Sequence, residues 1–212
     1  MAMKAYRDWG RQVKGIPADV QPRVIAPRSA HAAFEKAAHY FGIDLVLVDV
    51  LPDSYRVDVA QVARHIDWRT VALVGSAPNF PQGIMDDIEA LSALAVKHAI
   101  GLHVDCCLGG FLMPFLERLA QETGQSHWRP RGRFDFRVEG VTSISADTHK
   151  YGYAVKGSSV IMYRDASWRR HQYFVTPEWM GGIYATPTIT GSRAGGLLAS
   201  TWAAMMRMGT RG

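Results

Sequence analysis

Lys150 stands directly after a histidine in the segment SADTHKYGYAVKG at positions 145–157. The segment overlaps the end of the apolar run VTSIS, which is typical of a buried strand, so the pattern places an amine at the end of a sheet strand. An amine held in one position can condense with an aldehyde once its neutral form is accessible. A solvated surface charge is the ordinary alternative for a lysine. The strand-end setting makes Lys150 the leading candidate for covalent chemistry.

A second candidate, Asp105, closes the apolar run GLHVD at positions 101–105. A carboxylate in that position is costly to bury unless it is paired with a cation. The alternative is that Asp105 caps a following helix by accepting hydrogen bonds from its backbone N–H groups. The residues taken alone leave both interpretations open.

The hydrophobic pattern predicts the elements that position these two side chains. Strand-like apolar runs lie at 23–26, 44–50, 70–77, 101–105, 141–147 and 158–165, and helical patterns lie at 1–11, 29–42, 59–65, 86–98 and 195–209. Such alternation, with strands that lack a polar face, predicts an α/β fold with a mostly parallel sheet and helices on both faces. Ligands of such sheets bind beyond the carboxyl ends of the strands. The last two strands are too close in sequence for a helical crossover, so we expect them to be antiparallel.

Composition narrows the class of protein. With 212 residues, 48% of them hydrophobic, and a net charge of +5, the chain is long enough for a sizeable core. It has neither an apolar run near the ~20 residues of a membrane span nor a secretory signal pattern, which predicts a cytoplasmic protein. The arginine-rich loop at 128–133 and the region 121–136 are expected to be solvated surface rather than a nucleic-acid site.

Metal and disulfide sites are not expected. The histidines lack the HExxH spacing, and the two cysteines, Cys106 and Cys107, are adjacent rather than in a CxxC pair. A disulfide between neighbours would be strained and would close no loop, so both cysteines are expected to be reduced.

Three segments, SADTHKYG, LHVDCCLGGF and APRSAHAAFEKAA, resemble sphingosine-1-phosphate lyases, within the wider group of pyridoxal-phosphate-dependent decarboxylases and lyases. The resemblance runs through nearly the whole chain. It implies the large domain of a fold type I, aspartate-aminotransferase-like enzyme, whose sheet contains one antiparallel strand. It also implies that residues 1–212 are the core of this domain, with the phosphate-binding turn upstream and the small C-terminal domain absent from this chain.

The resemblance implies pyridoxal 5'-phosphate as the cofactor and gives each candidate a role. Lys150 is the amine that condenses with the cofactor aldehyde, and Asp105 is the anion at the pyridine nitrogen, where it keeps the ring an electron sink. His31 stacks on the ring, although a lone histidine at a helix start is more often a surface or capping group. His149 contacts the cofactor phosphate or merely packs, and Ser76 donates to the cofactor.

Two further residues follow from the resemblance. Lys156 resembles the lysine that binds the substrate phosphate, and Ser192, within the loop 181–196, points to the cofactor phosphate of a second subunit, which implies a homodimer. A plain connecting turn is the alternative for this loop. The chain departs from the family pattern at three positions near the site, where Cys106, Gln82 and Ala194 stand in place of the usual alanine, histidine and proline.

The implied activity is carbon–carbon bond cleavage of a phosphorylated long-chain sphingoid base, giving a fatty aldehyde and phosphoethanolamine. The base that removes the C3 hydroxyl proton stays open between freed Lys150, a nearby tyrosine and the phosphate itself. Two alternatives are an amino-acid decarboxylase on the same scaffold and a catalytically silent dimerisation core. The decarboxylases commonly have a proline before the His-Lys pair, whereas this chain has Asp147 and Thr148.

Overall fold

The computed structural model describes residues 1–128, 130 and 132–209, and its centre is a twisted sheet. The strands of this sheet are β1 Arg23–Pro27, β2 Asp44–Val48, β3 Thr70–Ser76, β4 Gly101–Asp105, β5 Ser143–Ala146 and β6 Val160–Tyr163. In the described part of the chain these six strands lie in the order β2-β1-β3-β4-β5-β6. Strands β1 to β5 are parallel, and β6 runs antiparallel to β5. The predicted mostly parallel sheet with an antiparallel last strand is confirmed.

Helices cover both faces of the sheet. They are α1 Ala2–Gln12, α2 Ala33–Phe41, α3 Val59–His65, α4 Ile88–Lys97, α5 Met113–Thr123, α6 Ala166–Arg169 and α7 Gly195–Met208. Helices α3 and α4 pack on one face in a core that contains Ile25 and Leu73. Helices α1 and α2 pack on the other face, in a core that contains Val24 and Val74. Neighbouring residues of a strand therefore pack in different cores, because successive side chains of a strand point to opposite faces of the sheet.

Two parts of the chain differ from the sequence-based expectation. The region 121–136 is not entirely a surface insertion, because it begins at the end of α5 and its Phe134, 5% exposed, belongs to the core under α4. Arg129 and Arg131 of the arginine-rich loop lie outside the described residues. Beyond β6, the chain forms an unpredicted hairpin of β7 Phe174–Thr176 and β8 Tyr184–Thr186, so the predicted loop 181–196 contains a strand.

Apolar side chains are exposed in the last third of the described chain. No residue of the described helix α7 is buried, and Leu198, Trp202 and Met206 lie along it at a spacing of four residues with about 60% of their surface exposed. Met180 and Ile183, next to the hairpin, are exposed as well. Among the described residues there is no helix whose length and apolar character would allow it to span a bilayer.

A buried carboxylate, Asp86, fixes the loop that follows β3. It is fully buried, and its two oxygens accept the backbone N–H groups of Val57 and Ser76, each at 2.8 Å. Burial raises the pKa of Asp86 to about 6, although the two backbone hydrogen bonds oppose that shift. The carboxyl group joins the strand end at Ser76 to the segment before α3.

We expect Asp86→Asn to lower the free energy of unfolding by about 1–3 kcal/mol, because an amide has one acceptor oxygen and leaves one of the two buried N–H groups without a partner. Denaturant unfolding at neutral pH measures the change. The control is Asp53→Asn, which makes the same substitution in an exposed turn. Equal stability of the two variants would contradict the role given to Asp86.

Candidate active site

Polar residues end three neighbouring strands of the sheet. Ser76 is paired with Asp105 in the β3–β4 register, and Asp105 is paired with Ser145 in the β4–β5 register. Because the strands are parallel, these residues share the carboxyl edge of the sheet, where the open α/β fold places its ligands. The structure therefore brings together Ser76 and Asp105, as the strand pattern predicts.

Asp105 is nearly buried, with 7% of its surface exposed. Its Oδ1 accepts hydrogen bonds from the backbone N–H of Cys107 at 3.0 Å and from the hydroxyl of Ser145 at 2.9 Å. The first of these bonds holds the turn after β4, but it caps no helix, because the next helical turn, Gly109–Phe111, has Leu108 at its N-cap and no side-chain cap hydrogen bond. Among the described residues no lysine, arginine or histidine forms an ion pair with Asp105, so the carboxylate is surrounded by neutral donors.

Lys150 lies in the turn that follows β5, with 28% of its side chain exposed. Its Nζ is 2.9 Å from Oδ2 of Asp147. Burial lowers the pKa of Lys150, but hydrogen bonds and attraction to Cys107 and Asp147 outweigh this, so its pKa is raised above the usual value. Burial opposes the shift, but hydrogen bonds from Ser159 and Lys150 and the nearby positive charge lower the pKa of Asp147. The contacts of Lys150 with Cys107 and Asp147 therefore favour its ammonium form.

A cleft of about 510 Å³ opens beside these residues, and its lining includes Phe34, His103, Ser145, His149 and Arg193. Lys150 and Asp105 are neighbours of this lining rather than part of it, since His149 precedes Lys150 and Ser145 donates to Asp105. The imidazole of His149 is held by a 2.9 Å contact between its Nδ1 and the carbonyl oxygen of Ser158.

The three remaining predicted residues are exposed. Nδ1 of His31 accepts the backbone N–H of Ala33 at 3.0 Å, which is the capping behaviour named as its alternative. Lys156 and Ser192 lie on separate loops. These loops are joined because Arg193 donates to the carbonyl of Gly157 at 3.0 Å. The roles of His31, Lys156 and Ser192 toward a ligand stay predictions.

Sequence reasoning missed three side chains of this site, two of which contact predicted residues directly and one of which acts through another. Ser145 donates to Asp105, Asp147 pairs with Lys150, and His103 contacts Ser145. A signal was present, because polar residues alternate in β4 (His103, Asp105) and in β5 (Ser143, Ser145), so these four side chains share one face. The expectation that the strands have no polar face is wrong for β4 and β5, where a polar line is buried rather than solvated.

Comparison with known proteins identifies the family. A family model described as the pyridoxal-dependent decarboxylase conserved domain matches residues 2–212. The chain is therefore a member of the pyridoxal-dependent decarboxylase family.

The relatives also agree with the resemblance read from the sequence. The chain is 52% identical over all its 212 residues to the sphingosine-1-phosphate lyase of Drosophila melanogaster, and it covers 37% of that protein. It superposes on the solved structure of the sphingosine-1-phosphate lyase of Burkholderia pseudomallei with a TM-score of 0.90 and 51% identity, over 98% of this chain and 45% of that one.

A glutamate decarboxylase of Lactobacillus brevis is more distant, with a TM-score of 0.76 and 27% identity over 100% of this chain and 47% of that one. The predicted fold type I architecture is confirmed by these similarities. The chain spans between a third and a half of the length of these relatives.

The described residues fit a pyridoxal cofactor. A protonated pyridine nitrogen is the kind of cation that a nearly buried carboxylate with neutral donors can accept, and Asp105 has these properties. Lys150 supplies a partly exposed amine in the turn after the next strand. When bound there, the cofactor supplies an electron sink for the substrate carbon.

We expect Asp147→Asn to make Lys150 more reactive toward aldehydes below the pKa of the amine. The substitution removes the charge that contributes to the raised pKa of Lys150, so the neutral fraction at a given pH increases. The rate of condensation with pyridoxal phosphate, followed by absorbance across a pH series, measures the change, and Asp53→Asn serves as the control. A rate profile that stays in place or moves to higher pH would contradict the prediction.

Proposed function

We propose that this chain is the core of the cofactor-binding domain of a pyridoxal-phosphate-dependent lyase. The enzyme cleaves phosphorylated long-chain sphingoid bases to a fatty aldehyde and phosphoethanolamine. The observation that supports this most directly is the placement of Asp105 at the end of β4 and of Lys150 in the turn after the neighbouring strand β5, in a chain about 50% identical to named sphingosine-1-phosphate lyases.

The chain's own residues divide the chemical work. Lys150 provides the amine, and Asp147 holds that amine in place and stabilises its proton until the aldehyde arrives. Asp105 offers a fixed negative charge to the pyridine nitrogen, and Ser145 and the Cys107 N–H orient that charge. Ser76 ends the strand next to Asp105, and its backbone is anchored by Asp86. Hydrogen bonds within the protein fix these groups, and groups fixed in this way need little reorganisation in a reaction.

Recognition of a phosphorylated substrate is assigned to the cations at the rim of the cleft. Lys156 and Gly157 form the loop before β6, and Arg193 is bonded to the carbonyl of Gly157 at 3.0 Å. Arg193 is thereby held against the loop that carries the exposed Lys156, and two cations on joined loops suit a phosphate group. Phe34 and Ile161 line the cleft and give it an apolar wall.

We further infer that the working unit is a homodimer. The exposed apolar stripe of Leu198, Trp202 and Met206 follows directly on the loop that contains Ser192. A stripe of this kind is costly to leave in water and suits a protein interface. Sedimentation equilibrium of the chain tests the inference, since a mass twice that of the chain supports it and a monomer at every concentration contradicts it.

The substrate class is tested with Lys156→Ala. We expect the variant to lose about tenfold or more in kcat/KM toward a phosphorylated sphingoid base, because a hydrogen bond to a charged group is lost. The loss toward the unphosphorylated amine should be small. Lys97→Ala, at an exposed position near the end of α4, is the matched control.

The assay is carried out with the full-length enzyme, and aldehyde and carbon dioxide are both measured. Aldehyde release that disappears in Lys150→Ala supports the lyase assignment. Release of carbon dioxide from amino acids, without aldehyde, would show that the enzyme is a decarboxylase and not a lyase. Equal losses of kcat/KM for the phosphorylated and unphosphorylated substrates in Lys156→Ala would show that Lys156 does not recognise the phosphate.

A further inference from the structure

A line of buried polar side chains leads from Asp105 into the core under α1. Nε2 of His103 lies 3.2 Å from the hydroxyl of Ser145, and Nδ1 of His103 lies 2.7 Å from the hydroxyl of Ser143. The hydroxyl of Tyr6, on α1, is 2.6 Å from that of Ser143. His103, Ser143 and Tyr6 are each at most 2% exposed. Side chains that the proposed chemistry does not use are thus connected to the carboxylate that it does use.

The hydrogen bonds in this line can run in one direction. A carboxylate has acceptors alone, so the single proton of the Ser145 hydroxyl is donated to Asp105. Ser145 must then accept from His103, which places the imidazole proton on Nε2. A neutral imidazole has its lone pair on the other nitrogen, so Nδ1 accepts from Ser143, and Ser143 in turn accepts from Tyr6. Every donor in the line points toward Asp105.

The surroundings keep each member in the required form. Burial lowers the pKa of His103 to about 4, although the attraction of Asp105 opposes the shift, so the imidazole is neutral at physiological pH. Burial also raises the pKa of Tyr6, which retains its proton. The ring of Tyr6 reaches the line because Gly101 has no side chain, and a Cβ there would lie 2.2 Å from the ring.

At its far end the line continues to Thr142. The Thr142 hydroxyl lies 2.7 Å from that of Tyr6 and 3.2 Å from the carbonyl of Leu102, and it accepts the Leu102 N–H at 3.0 Å. Contacts with the backbone of β4 therefore hold the Thr142 hydroxyl, just before β5, at the far end of the line. The other end of the line is the Asp105 carboxylate.

We propose that His103 is a positioning residue for Asp105, acting as a neutral imidazole protonated on Nε2 that orients the Ser145 hydroxyl and so holds the carboxylate as an anion for a pyridinium nitrogen. A neutral imidazole matters here because an imidazolium would be a second cation beside Asp105 and would compete with the pyridinium. This inference rests on the cofactor assignment of the proposed function, but the hydrogen-bond direction is a property of the protein alone.

The direction is tested on the cofactor-free chain by NMR of ¹⁵N-labelled histidine, with the His103 signals identified by their loss in His103→Asn. We expect a neutral Nε2–H tautomer between about pH 5 and 8. Asp105→Ala removes the acceptor that orients Ser145, so the Nδ1–H tautomer should become detectable, whereas Asp147→Asn should leave the tautomer unchanged. An Nδ1–H tautomer or a protonated ring in the unmodified chain would overturn the proposal.

A pair of substitutions separates positioning from simple packing. His103→Gln keeps an N–H donor near the Nε2 position, and His103→Asn keeps an acceptor near the Nδ1 position but has no donor that reaches Ser145. The two variants lose the same ring and bury the same type of amide, so packing alone predicts similar effects. We expect pyridoxal phosphate to bind about tenfold more weakly to His103→Asn than to His103→Gln. The reason is that only the Gln variant keeps the hydrogen bond to Ser145 that orients the charged Asp105.

Absorbance titration with pyridoxal phosphate measures the two affinities, and thermal unfolding of the cofactor-free variants measures their packing cost. Equal affinities, or affinities that follow unfolding temperature, would contradict the positioning role. The titration uses the full-length enzyme. If the unmodified full-length enzyme fails to bind pyridoxal phosphate, the cofactor assignment fails, while the NMR result still decides the hydrogen-bond direction.

Discussion

A carboxylate at the end of a buried strand must be hydrogen-bonded or paired with a cation. Asp105 is such a carboxylate, so the residues around it must supply hydrogen-bond donors or a cation. Its hydrogen bonds come from neutral groups, the Ser145 hydroxyl and the Cys107 N–H, and these bonds orient the charge without cancelling it. A cation is therefore the partner that the site still accepts. The protonated pyridine nitrogen of the family's pyridoxal cofactor is such a cation. The cost of burying Asp105 without a cation is therefore a reason to expect the cofactor at this site.

The sheet provides the geometry that this interaction needs. Parallel pairing brings Ser76, Asp105 and Ser145 to one edge, and the antiparallel β6 returns the chain so that Ser158 can hold His149 beside the cleft. Lys150 follows within the turn after β5, at the same edge of the sheet. A solved structure has the same architecture, since the chain superposes on that of a sphingosine-1-phosphate lyase with a TM-score of 0.90.

Periodicity allowed most of the fold to be predicted from sequence. The apolar runs that became β1, β3 and β4 have little ambiguity, since each is short, rich in branched residues and bounded by turns. Helix α5 and the β7–β8 hairpin were missed. Neither buries a continuous apolar face, and the hairpin strands have three residues each. Phe134 belongs to the core through a loop, and a loop residue has no periodic signal.

The two central residues of the candidate site were predicted from sequence, but the side chains that contact them were not. Asp105 was found because it closes an apolar run and Lys150 because it follows one, and the segment around each resembles the family, so each signal is contained in one segment. The partners of these residues depend on register between strands, which no single segment contains, so Ser145 and His103 went unrecognised despite their alternation. Asp147 was visible beside Lys150, but its effect on the pKa of the amine depends on a 2.9 Å contact that sequence does not specify.

Borohydride trapping of bound pyridoxal phosphate, followed by peptide mapping, tests the central claim most directly. We expect the label to lie on the peptide that contains Lys150 in the unmodified chain, and labelling there to fall strongly in Asp105→Ala. Label spread over exposed lysines, or unchanged labelling of Lys150 in Asp105→Ala, would contradict the claim that the buried carboxylate holds the cofactor for this amine.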